Sequence, residues 1–267
     1  IAQAYLAIAM AIMPMVAPFL GGVLFNFFGW RSIFLVSTLT GIAVGSAVVF
    51  RLGETLPRKA RRALRLSGLL RGYLRLSGMR RYLVYSFDAS FLNAGFNAFL
   101  YAAPLVFVTV MGVPESLFGL FTLPAPAGFM LGSLLASRLV NHFKTDQVIM
   151  AGNIIVLISG LAMLALMFTG LANSYTILLP IGFALFGNGL VLPNCIVGSM
   201  EAVGPSMAGA AAAYSGFLQM ALSSLVVVIL GAVTFASVMP LAVTITVMGS
   251  LALLTFAFLP LCLHKPL

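Results

Sequence analysis

Blocks of about 20 consecutive apolar residues recur along almost the whole chain, and no other feature constrains the fold as strongly. At 1.5 Å per residue, about 20 residues of helix cross a hydrocarbon core roughly 30 Å thick. In lipid each backbone N–H and C=O must find its partner inside the protein, which leaves α-helices or a closed β-barrel. The blocks are too long and too continuous for barrel strands, so they read as helices. With 62% apolar and 7% charged residues, against roughly 25% charged in soluble domains, the chain needs lipid as its solvent. An all-α integral membrane bundle is the expectation.

The spans predicted are about eight in number: 2–25, 31–50, 82–109, 116–139, 147–169, 175–199, 208–231 and 239–261. Short turn-rich breaks separate most of them, at Asn26 to Trp30, Gly112-Val113-Pro114, Gly170 to Ser174, Gly204-Pro205 and Ser237 to Pro240. The connection from Arg51 to Arg81 differs, being long, polar and basic, and it divides two spans from six. A span begins almost at Ile1, without a preceding Met or soluble lead, so the sequence reads as an N-terminally shortened chain.

Charge placement predicts orientation, because Lys and Arg concentrate in cytoplasmic connections. Arg51, Arg58, Lys59, Arg61, Arg62, Arg65, Arg71, Arg75, Arg80 and Arg81 fall in the long connection, Arg138 and Lys144 follow the fourth span, and Lys265 lies in the tail. If the spans alternate, all of these share one side, and Arg31 alone lies opposite. The long connection and the C-terminus are therefore expected in the cytoplasm. Within that connection Leu66, Leu69, Leu70, Tyr73 and Leu74 recur at helical spacing among arginines. This predicts a basic amphipathic helix, either a lipid-binding element or a tether that enforces topology. The basic residues sit against the membrane with no recognition module around them, so the net charge of +9 does not indicate nucleic-acid binding.

Polar groups inside spans mark packing seams or wet cavities. In the third span Ser86, Ser90, Asn93, Asn97, Tyr101 and Pro104 share one helical face, forming either a wall of an aqueous pathway or hydrogen-bonding glue between helices. Asp88 is the acid lying well inside a span, on the other side of that helix and in line with Arg81. It is a candidate for proton or cation coupling, or for an ion pair with Arg81. Cys195 and Cys262 belong to no ligand spacing, and His142 and His264 sit at segment ends, so neither a metal site nor a cofactor is expected. Paired carboxylates, a Ser/His/Asp set and a phosphate-cradling Gly loop are all missing, which argues against an enzyme.

Several segments resemble the drug:proton antiporters of the major facilitator superfamily, within it the bicyclomycin and chloramphenicol resistance (Bcr/CflA) branch. Ala17-Pro18-Phe19-Leu20-Gly21-Gly22 is similar to the antiporter motif of that family's fifth helix. Gly29-Trp30-Arg31 with Phe34 resembles the start of helix six, and Glu54-Thr55-Leu56-Pro57 its exit into the central loop. Pro104 to Gly119 looks like the junction of helices seven and eight. Leu192-Pro193-Asn194, Glu201, Gly204-Pro205, Ala208-Gly209 and Phe217-Leu218-Gln219-Met220 look like helices ten and eleven of the branch.

The resemblance implies helices five to twelve of a twelve-helix fold. Residues 1–52 would then be the last two helices of the N-terminal half, 53–81 the central loop, and 82–267 the six-helix C-terminal half. It also implies that the third and sixth spans line the substrate cavity, through Ser90, Asn93, Asn97 and Tyr101 with Asn188 and Asn194, and that Ala17, Pro18, Gly21 and Gly22 serve the contact between halves. The function expected is proton-driven efflux of small amphipathic or aromatic compounds across a bacterial inner membrane, by a monomer whose partners are substrate, protons and lipid. Export competes with two other readings, a facilitator for sugars or other metabolites and a non-transporting membrane remnant or scaffold.

Overall fold

The computed structural model describes residues 20–21, 24, 27–51, 66–171, 173, 175–204, 207–233 and 237–257. Among them the chain forms α1 (Trp30–Arg51), α2 (Leu66–Ser77), α3 (Arg80–Pro104, continued as a π-helical stretch over Leu105–Val110), α4 (Glu115–Thr122), α5 (Pro124–Leu139), α6 (Thr145–Phe168), α7 (Leu178–Glu201), α8 (Ala208–Gly231) and α9 (Met239–Ala257). Helices α1, α3, α6, α7, α8 and α9 are each long and apolar enough to cross a membrane. The first predicted span, 2–25, lies almost wholly outside the described residues.

The fourth predicted span is a correction. In place of one helix over 116–139 the structure has α4 and α5, broken at Leu123. The cause is Pro124, which has no N–H to give the preceding turn and instead opens α5 at its first position. Pro104 acts more gently, since the chain stays helical after it but widens to π geometry, with the Met111 N–H reaching the Val106 carbonyl. The predicted breaks hold where glycine permits a positive φ, as at Gly112 (67°) and Gly170 (70°).

Contacts between helices fix their relative directions. Along α3 and α8, Tyr82 meets Ala211, Asn93 meets Ser223 and Tyr101 lies beside Gly231, so these two helices run parallel. Tyr85 with Asp146 and Asp88 with Asn153 make α3 parallel to α6. Tyr85 beside Gly198, Asp88 with Cys195 and Leu92 with Asn188 make α3 antiparallel to α7. Alternating spans require this pattern for the third, fifth, sixth and seventh of them. One end of the bundle therefore carries the exposed Arg71, Arg75, Arg80, Arg81, Arg138 and Lys144.

Lipid offers no hydrophobic drive between helices, so close packing of small residues does that work. A Cβ on Gly128, Gly132 or Gly189 would run into backbone of the facing helix, at Gly182, Phe186 and Phe129. Helices α5 and α7 thus touch backbone to backbone. Gly152 and Gly187 bring α6 against α7 in the same way, and Gly160 brings α6 against Thr246 of α9. By contrast, α1 has no buried residue.

The helix expected in the basic connection is present as α2, and of its predicted apolar face Tyr73 turns inward while Leu74 does not. Leu76 is fully buried and Tyr73 half-buried, whereas Leu74, assigned to the apolar face, is 73% exposed. Tyr73 and Tyr82 both stack on Tyr214 of α8, and the Ser77 and Tyr214 hydroxyls lie 3.0 Å apart. This aromatic stack turns the helix, because it anchors Tyr73 and leaves Leu74 outside.

Candidate functional site

The polar face of α3 runs along α8. Ser86 and Ser90 are fully buried, and the Ser90 hydroxyl donates to the Ser86 carbonyl one turn back. Asn93 and Asn97, one turn apart and half-buried, both aim their amides at a single acceptor, Ser223 Oγ on α8, at 3.2 and 3.3 Å. The Asn97 amide also donates to the Asn93 carbonyl. Tyr101 is exposed at the far end, with its hydroxyl near Gly231. The face is therefore dry at Ser86 and Ser90 and opens towards Asn93, Asn97 and Tyr101, where apolar Phe96 stacks on Phe129 of α5.

Asn188 and Asn194 do not join this face. Asn188 is 3% exposed and donates to the Leu92 carbonyl on the side of α3 that packs against α7. It borders a small cavity of about 20 Å³ lined also by Leu92, Phe96, Val156 and Met248. Asn194 is buried and donates to the Leu190 carbonyl of its own helix. Helical phase places both on α7, but only the register of α7 against α3 shows what they meet.

Asp88 points away from the polar face, into the contact of α3 with α6 and α7. Its Oδ1 accepts from Asn153 Nδ2 at 3.0 Å, and its Oδ2 accepts from the Cys195 thiol at 3.2 Å. The pairing with Arg81 does not form. Arg81 shares the helical phase of Asp88 but sits about 10 Å nearer the helix end, where its guanidinium lies over the Tyr85 ring. The Tyr85 hydroxyl in turn donates to Asp146 of α6. Asn153 and Cys195 were not singled out as partners of Asp88, and the packing glycines of α5 were missed, although the four-residue spacing of Gly128 and Gly132 was a signal for them. Of the motif near the first span, Ala17, Pro18 and Gly22 lie outside the described residues, and Gly21 is helical.

No group of three or more His, Cys, Asp or Glu side chains converges to hold a metal among the described residues. What the geometry offers is a set of amides and aromatic rings beside a helix seam, suited to uncharged or weakly polar ligands. The family comparison settles the class of protein: the Major Facilitator Superfamily model matches residues 1–228. The chain belongs to the major facilitator superfamily.

Individual superfamily relatives carry drug-resistance names. A bicyclomycin resistance protein homolog of Haemophilus influenzae is 29% identical over 248 residues, covering 92% of this chain and 61% of the relative. Multidrug resistance protein D of Escherichia coli is 30% identical over 219 residues, covering 82% of this chain and 54% of the relative. Multidrug transporter MdfA of Edwardsiella ictaluri is 24% identical over 183 residues, 68% of this chain and 44% of the relative. The chain spans about half the length of the curated relatives it matches. As a superfamily member with several spanning helices, it is a multi-pass membrane protein.

Proposed function

We propose that this chain serves proton-coupled efflux of small amphipathic or aromatic compounds across a bacterial inner membrane. The observation that carries the reading is that relatives named for bicyclomycin and multidrug resistance align with most of the chain's length. In this reading residues 1–52 end one six-helix half, 53–81 cross between halves at the cytoplasmic surface, and 82–267 form the other half. The two halves rock about a midplane site. Asn93, Asn97 and Tyr101 contribute polar contacts to that site, with Phe96 supplying an apolar surface. Ala17, Pro18, Gly21 and Gly22 serve the contact between the halves. The end of the bundle bearing Arg71, Arg75, Arg80, Arg81, Arg138 and Lys144 faces the cytoplasm, a reading supported by the excess of basic residues there.

The test is expression from the complete gene in bacteria stripped of their own drug exporters. Tolerance to aromatic, amphipathic antibiotics should rise severalfold and return to the baseline when a protonophore collapses the proton gradient. Unchanged tolerance together with faster uptake of sugars would replace export with a facilitator. Neither change, in cells where the protein is in the membrane, would leave a non-transporting scaffold.

A further inference from the structure

Away from the α3–α8 face, Asn153 of α6 and Cys195 of α7 both turn their side chains to Asp88. Its side chain is 0% exposed, and the donors reaching it, Asn153 Nδ2 and Cys195 Sγ, are both uncharged. Most ionisable groups on the elements around it lie elsewhere: Arg80 of α3 and Glu201 of α7 are exposed at helix ends, Tyr82 donates to the Ala211 carbonyl, and Tyr101 is exposed at the far end of α3. From α3, Arg81 lies over the Tyr85 ring and Tyr85 donates its hydroxyl to Asp146, the acid that α6 contributes. From α7 comes Cys195 itself. Helix α9, packed on Tyr85 through Phe256, has no charged residue in its sequence.

A carboxylate so placed has no cation to balance it, and a thiol is a weak donor. A second observation concerns its partner. Asn153 is also 0% exposed, and its Oδ1 has no donor among the described residues, although buried acceptors rarely stay unpaired.

We propose that Asp88 is a proton-binding site, at which the protonated carboxyl forms an acid–amide pair with Asn153. The acid O–H donates to Asn153 Oδ1 while Asn153 Nδ2–H donates to the acid carbonyl, closing a ring of two complementary hydrogen bonds. One proton removes both difficulties: it neutralises the buried charge and supplies the missing donor to Asn153. Releasing it to water restores the charge inside the seam, so the proton leaves only when α3, α6 and α7 separate enough to admit water. Sodium fits less well, because a hard cation needs several oxygen ligands and this seam offers one carboxyl and one amide oxygen beside a sulfur. The site lies apart from the polar face of α3 and does not depend on the export reading.

Infrared spectra of the full chain in lipid nanodiscs provide the test without any transport assay. The other carboxyls, at Glu54, Glu115, Asp146 and Glu201, belong to connections or helix ends. At neutral pH in choline buffer the wild type should show a protonated-carboxyl C=O band that shifts in heavy water and is absent from Asp88→Asn. That variant should fold, since an amide at 88 reproduces the pairing with Asn153. In Asn153→Leu the band should persist and move to higher wavenumber, because the acid loses its partner. Absence of the band from the wild type, its survival in Asp88→Asn, or its loss when sodium replaces choline would overturn the proposal. A band unmoved in Asn153→Leu would do the same. Were Asp88→Asn to lose its helix content, the wild-type and Asn153→Leu spectra would still decide.

Discussion

Single residues set the tolerance of the bundle to change, and the glycines show this most directly. Gly132 faces the Phe186 backbone with no room for a Cβ, whereas Gly216 has open space around the same position. Gly132→Ala is expected to destabilise the folded chain by about 1–3 kcal/mol in detergent unfolding, and Gly216→Ala to be neutral or slightly stabilising. Asn93 and Asn97 pose a different question, since both share Ser223 as acceptor. Interhelical hydrogen bonds in membranes average only about 0.6 kcal/mol, so on the proposed export function Asn93→Leu or Asn97→Leu should change the drug-resistance profile more than the yield of folded protein. Reduced yield with an unchanged profile would make these residues packing glue. The sequence showed that Asp88 and the Asn93/Asn97 pair lie on opposite sides of α3, because helical phase is local. It did not show Asn153 and Cys195 as the partners of Asp88, because the depth at which two helices cross is set by side-chain fit between distant segments.

At the scale of elements, α2 is held by aromatic stacking as well as by its buried Leu76. Tyr73, Tyr214 and Tyr82 form a column with Tyr214 in the middle. Tyr214→Leu should leave the spanning helices in place but release α2, seen as severalfold faster trypsin cleavage after Arg71 and Arg75 in inside-out vesicles. Tyr214→Phe keeps the stack and loses only the contact with Ser77, so its cleavage rate should stay near wild type. Periodicity indicated a helix here and misplaced Leu74, because Tyr73 stacks on Tyr214 of α8, a partner far along the chain. The break at Pro124 was legible in principle, since proline cannot donate into a helix, yet the hydropathy of the surrounding block concealed it.

For the molecule as a whole, the alternation of spans was the most legible property, because apolar length and basic asymmetry are both forced by the bilayer. Single cysteines at positions 142 and 171, in a background without Cys195 and Cys262, should react from opposite sides. An impermeant thiol reagent added to intact cells is expected to label Leu171→Cys and spare His142→Cys, and labelling of both would refute the assigned orientation. The packing between helices has a mechanical consequence. Where α5, α6 and α7 meet through glycines, backbones touch with little compressible side chain between them, so these three helices form a stiff plate. The polar contact of α3 with α8 rests on two amides sharing one hydroxyl and on the Tyr82 bond to the Ala211 carbonyl, and α8 buries few of its residues. Amide hydrogen exchange should accordingly be slowest in α7 and markedly faster in α8, and any flexing within this bundle will use the α3–α8 contact as its crease.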